Sequence, residues 1–307
     1  SYTAILDDSS RVPFATRYDR KHPPRLHVVF LERWSPEAIP LEGGGWAADR
    51  DPLTSARTGF RLRAALRAKP SIADSVAIAP DYSCMSHTYA FSGATGETAQ
   101  SGVDGPVVTV RLGVVRSPFY DRLLVAAIAA EEAPPLYLLA DARSIPPADW
   151  LRIESRGGRG GRGQAGRPGV RGADGTTGCP GSPGGPGGPG GSGGPGAGGG
   201  RGGRVTIIAP EEEPFLAGIV DARVPGGEGG PGGSGGAGGG GGKAGPRRAP
   251  SDSTCRAGAA GGDGPAGRAG PRGPDGDPGL RAQVLTVPLR NVFGVRIPPE
   301  LAELLEH

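Results

Sequence analysis

Glycine recurs at every third position from Gly157 to Gly202, again from Gly226 to Gly241, and again from Gly258 to Gly279. A period of three matches neither the 3.6 of an α-helix nor the 2 of a β-strand. It is the period of the left-handed polyproline-II helix, which has three residues per turn and no internal hydrogen bonds. The N–H and C=O groups of such a segment must find partners elsewhere. Two packed solutions exist. Three chains wind together as in collagen, or straight glycine-rich helices lie side by side and bond laterally because glycine has no side chain to hold them apart. A disordered glycine/proline linker is the unpacked alternative.

The runs differ in glycine content. Residues 157–175 and 258–279 carry mostly one glycine per triplet, whereas 184–194 and 226–242 carry two. The GGX stretches read as central helices and the GXY stretches as flanking ones. A turn at Thr176-Thr177-Gly178-Cys179-Pro180 cuts the first long repeat, leaving four runs of similar length, about 157–175, 181–203, 226–245 and 258–279. At ~3.1 Å per residue each spans roughly 55–70 Å. Matched lengths suit a chain that goes out and back twice. β-Branched stretches flank the runs at 151–155, 205–209, 219–224 and 284–287 and read as strands gathered at the proximal end. The distal end then holds two turns, one with Cys179 and one with Cys255. This placement predicts a disulfide between them; two unrelated free thiols are the alternative.

The GGX and GXY runs resemble polyglycine-II proteins, of which the snow-flea antifreeze protein and the glycine-rich tips of phage tail-fibre adhesins are known cases. They are also similar to bacterial collagen-like surface proteins. The resemblance covers about 157–279 and lies in the repeat, with no residue-specific motif to carry over. It implies an ordered, extended bundle poor in side chains. Arg159, Arg162, Glu228, Lys243, Asp263 and Arg272 occupy third positions, a departure from the regular uncharged face of the antifreeze case.

Residues 1–150 read as short strands separated by Gly/Pro turns, at 2–6, 26–34, 75–79, 87–91, 107–115, 123–129 and 136–140. Residues 61–67 fit either a strand or a helix. Residues 93–105 repeat the glycine period weakly and read as a short extra helix on the bundle or a hairpin loop. After the rod, Val292, Phe293, Val295 and Ile297 suit a strand. Pro298 and Pro299 open a short helix whose apolar face is Leu301, Leu304 and Leu305. The expected fold is therefore mainly β: a β-sandwich-like domain (1–150), a polyglycine-II bundle with proximal strands (151–288), and a C-terminal strand and helix (289–307).

Little in the chain points to catalysis. His22, His27, His87 and His307 are scattered, and Cys84 with His87 is an isolated C-x-x-H pair. G-x-G-x-x-G recurs, as any glycine repeat ensures, without opening a helix. Glu211, Glu212 and Glu213 read as a solvated acidic loop. Arg156, Arg159 and Arg162 echo an RGG segment, but no aromatics interleave them and the net charge is only +3, so nucleic acid is a weak expectation. No apolar stretch is long enough to span a membrane. The sequence predicts no cofactor, no metal and no enzyme. It predicts a structural protein at the cell surface or outside the cell that self-assembles. The short terminal helix must dock Leu301, Leu304 and Leu305 either on its own domain or on a neighbouring copy, where they would be the assembly contact. The alternative is an adhesin that meets a glycan or protein through Arg247 and Arg248 at the rod tip.

Overall fold

The computed structural model describes residues 2–17, 19–48, 51–83, 85–131, 133–143, 150–248, 254–294 and 297–306. The chain is mainly β. Its strands are β1 Thr3–Ile5, β2 Arg11–Pro13, β3 Leu31–Trp34, β4 Ala38–Pro40, β5 Trp46–Ala48, β6 Phe60–Leu66, β7 Lys69–Ile78, β8 Thr88–Ser92, β9 Val107–Val115, β10 Leu123–Ala130, β11 Leu136–Asp141, β12 Leu151–Arg156, β13 Arg204–Pro210, β14 Val220–Arg223 and β15 Gln283–Val287. Helices α1 Leu53–Thr58, α2 Leu289–Val292 and α3 Pro299–Leu305 and two short 3-10 helices, Val28–Phe30 and Pro214–Ile219, accompany them. The ambiguous 61–67 stretch is β6, paired with β3 and β7.

Two sheets make the core. One has the order β11-β10-β9-β13-β15 and the other β14-β12-β8. Val108, Val110, Leu124, Ala126 and Ile128 of the larger sheet pack with Leu151 and Ile153 of the smaller. Val115, Leu123, Val125, Ala127 and Leu139, on the other side, meet Leu53 and Ala56 of α1 and Leu301 and Leu304 of α3. β10 is thus covered on both faces. That explains its unbroken apolar run, LLVAAIAA, where a half-exposed strand would alternate.

The direction of each strand explains the sorting. β8, β12 and β14 all pair in parallel, and each leads out into a glycine-containing segment. β9, β13 and β15 also pair in parallel, and each receives the chain on its return. The chain therefore makes three excursions, 93–105, 157–203 and 226–279, leaving from one sheet and returning to the other. Strands that the sequence assigns to separate units, such as β9 and β13, share one sheet, so residue 150 does not divide the core.

The glycine segments continue the two sheets as two layers. In the outgoing layer, glycines 157, 160, 163, 166, 169, 172 and 175 donate to carbonyls 225, 228, 231, 234, 237, 240 and 243 at 2.8–3.1 Å. In the returning layer, glycines 181 to 202 donate, three apart, to carbonyls 256 to 277 at 2.9–3.0 Å. Antiparallel bonds join the layers: glycines 227 to 245 donate to carbonyls 200 to 182, and glycines 258 to 279 to carbonyls 245 to 224. The second and third runs each bond to three neighbours, the first and fourth to two. This is why the third run needs two glycines per triplet. A Cβ at Gly235 would lie 1.9 Å from the carbonyl oxygen of Gly267, and one at Gly236 would lie 2.0 Å from that of Arg167.

Residues 93–105 form a third, short column. Gly93 and Gly96 donate to Arg156 and Arg159, the chain turns at Glu97–Gln100, and Gly102 and Gly105 donate to Gly198 and Arg201. The first run has glycine at its second triplet position only where this hairpin covers it, at Gly158 and Gly161. A Cβ at Gly161 would sit 1.5 Å from the Glu97 oxygen.

The C-terminal segment corrects the sequence reading. Val292 and Phe293 belong to α2, with Phe293 at its C-terminal end, and not to a strand; Val295 lies outside the described residues. Pro288 precedes the helix, the Glu212 carboxylate accepts the Leu289 N–H at 3.2 Å, and Gly294 at φ 80° ends it. Leu289 and Phe293 pack on β9 at Gly113, where a Cβ would lie 2.9 Å from the Phe293 ring.

Candidate functional site at the rod tip

The tip is built from the two distal turns. Cys179 and Cys255 are bonded, with Cα atoms 5.0 Å apart, and Cys255 is buried. The Gly178 N–H donates to the Pro246 carbonyl at 3.2 Å, and the Arg248 N–H donates to the Gly178 carbonyl at 2.9 Å. In the first turn, the Thr176 N–H donates to Ser182 Oγ at 2.7 Å. These bonds tie the first turn to the end of the third run and the start of the fourth. Arg247, Arg248 and Arg256 are exposed around the disulfide. The chemistry they offer is guanidinium charge in a fork suited to carboxylate, sulfate or phosphate oxygens. Residues 249–253 of the tip loop lie outside the described residues. Comparisons with protein-family models, with curated proteins and with solved structures find no match for this chain.

The other sequence-selected residues resolve into structural roles. Leu301 and Leu304 are buried against α1 and the larger sheet, and Leu305 packs beside them. Arg57 of α1 pairs with Glu303. The apolar face that the sequence offers for assembly is therefore consumed within the chain, since a helix this short needs a packing partner. Of the acidic triplet, Glu212 caps α2 and Glu213 pairs with Arg122 at 2.5 Å. His87 stacks on Trp150 at 4.6 Å, and its would-be partner Cys84 lies outside the described residues. Among the described residues no three metal-ligating side chains gather.

Two buried polar groups escape a reading of the sequence. Glu37 accepts from the Arg61 N–H at 3.0 Å, Arg61 Nε at 2.7 Å and Thr58 Oγ1 at 3.0 Å. Burial raises its pKa, but the Arg61 and Thr58 hydrogen bonds outweigh that and hold it below the ordinary glutamate value. Tyr82 is pushed up to about 12 by burial, with its hydroxyl 3.1 Å from Ser55 Oγ. Both lock α1 to its surroundings.

Exposed apolar side chains gather in the N-terminal part, although Val170, Phe215 and Leu280 are exposed elsewhere. All ten residues of β7 are exposed, including Ile72, Val76 and Ile78. Among the described residues, β7 is an edge strand, paired with β6 alone. Beside it a cleft of about 850 Å³ runs between β1 and the β3-β6-β7 sheet, lined by Ile5, Leu31, Trp46, Leu62, Ile72 and Val76.

Proposed function

We propose that the chain is a non-enzymatic structural protein whose four glycine runs are left-handed polyglycine-II helices, and that its copies assemble into an extracellular fibre, sheath or surface layer. The observation that carries this reading is the hydrogen-bond array. Donors recur every third residue along all four runs, the spacing a three-per-turn helix requires. Such a rod is cross-bonded along its length and carries little chemistry beyond charge and shape. The disulfide at its far end favours an oxidising compartment. Among the described residues no helix is long and apolar enough to cross a membrane.

The homotypic contact is assigned to β7. A long exposed edge strand with unpaired backbone groups and apolar side chains is a template for strand addition. Negative-stain electron microscopy of the purified, oxidised protein, beside its mass in solution, tests the reading. Filaments or sheets are expected. Discrete monomers at all concentrations overturn it.

A second reading rests on the tip. Arg247, Arg248 and Arg256 stand exposed around a covalently tied turn, as the contact of an adhesin for an acidic glycan or protein would require. Charge reversal at Arg247 and Arg248 separates the two readings, since it weakens surface binding and leaves assembly untouched.

A further inference from the structure

The third column of the two-layer array stops short. Residues 100–105 lie in the groove between the first and second runs. They donate to the carbonyls of Gly198 and Arg201, and their own carbonyls at Gln100 and Val103 accept from the N–H groups of Gly161 and Gly158. Beyond the Glu97–Gln100 turn the same groove continues toward the tip, and among the described residues none bonds along it. The first run presents the N–H groups of Gln164, Arg167, Val170 and Ala173 there, and none of these has a protein partner among the described residues. Opposite them, the carbonyls at 186, 189, 192 and 195 of the second run are likewise unpaired. Donor and acceptor rows thus carry on in the register that 100–105 uses.

The residues chosen along this groove point the same way. Gly200 must be glycine because a Cβ there would lie 2.1 Å from the Val103 oxygen of the hairpin. Gly185, Gly188, Gly191 and Gly194 belong to the same row, yet a Cβ on them would come no nearer than 3.1–3.4 Å to the first run. Ala197, also in this row, keeps its N–H bond to Gly161 at 3.0 Å. The first run alone makes a side chain at these four positions tight, a contact that a shift of a few tenths of an ångström would relieve. A strand lying in the groove would exclude it, as the hairpin does at Gly200.

We propose that the distal half of this groove docks an extended segment of another polypeptide with glycine at every third residue, running parallel to the second run. The hairpin sets the chemistry: one residue in three must be glycine to approach the first run, as Gly102 does, whose Cβ would lie 2.0 Å from the Gly158 oxygen. The runs of a second folded copy cannot fill it, because the glycine that recurs at every third residue in each already faces a neighbouring run. At ~3.1 Å per residue, about twelve residues span the open stretch.

The test uses full-length oxidised protein and a fluorescent synthetic peptide of repeating Gly-Ser-Ala, with repeating Ala-Ser-Ala as the control. Saturable binding of the glycine peptide alone is expected. Val170→Pro removes a groove donor that bonds nothing within the chain, and proline suits the fixed φ of a three-per-turn helix. Gly188→Ala with Gly191→Ala fills the groove as Ala197 does. Each variant should weaken peptide binding roughly tenfold or more through lost backbone bonds, with circular dichroism and thermal midpoint close to wild type. Absence of binding to the wild type overturns the proposal, as does binding indifferent to both variants. Self-association abolished by Val170→Pro also overturns it, since the occupant is then a second copy.

Discussion

Gly236 and Gly240 are separated by three residues in the same run, yet the fold asks different things of them. A Cβ on Gly236 would lie 2.0 Å from the Arg167 oxygen, inside the bundle. The nearest atom to a Cβ on Gly240 is Asp263 Oδ1 at 3.9 Å. Gly236→Ala should therefore lower stability by roughly 1–3 kcal/mol or more through overpacking. Gly240→Ala should be neutral or stabilising by up to ~1 kcal/mol, because it reduces the freedom of the unfolded chain. Thermal unfolding of the two variants checks this, and equal midpoints would contradict the lattice described here. The contrast is partly legible in the sequence. A period of three shows that glycine is needed, but which of two adjacent glycines is crowded depends on which neighbour lies over it.

At the scale of the element, α3 is buried within the chain while β7 is left exposed. Leu301, Leu304 and Leu305 have helical spacing, so the helix was readable. Its partner was not, because α1 and the far face of β9–β11 come from segments distant in the chain. Leu301→Ala should cost about 2–5 kcal/mol as a core cavity, read by chemical denaturation, without itself removing an assembly contact. β7 carries the opposite expectation. Val76→Lys places charge on an exposed edge and should suppress filaments while leaving the unfolding midpoint within about 0.5 kcal/mol of wild type. Filaments of normal length from Val76→Lys would remove β7 from the assembly contact. The strand expected at Val292 and Phe293 failed for a local reason. Pro288 and Gly294 bracket a single helical turn, and apolar alternation over so short a span does not distinguish it from a strand.

For the whole molecule, the two long excursions, 157–203 and 226–279, are fastened at both ends: by sheet pairing at the base and by Cys179–Cys255 at the tip. The disulfide closes a loop with a sequence separation of 76, worth about 4 kcal/mol on chain-entropy grounds. Reduction should loosen the rod from its tip inward. Hydrogen exchange at glycines 172, 175, 242 and 245 should accelerate before that at 157, 160, 227 and 230. Uniform acceleration along the runs would mean that the rod opens as one unit.

The sequence by itself determined the mainly β character, the four run lengths, the strand at the base of each run and the pairing of the two distal cysteines. All of these follow from local periodicity or from the geometry of a chain that turns back on itself. Tertiary structure decided the rest. It sorted outgoing from returning strands into separate sheets, buried the C-terminal leucines and left β7 and the distal groove open. These outcomes turn on which surfaces meet across long separations in the chain, and periodicity within a segment carries no record of that.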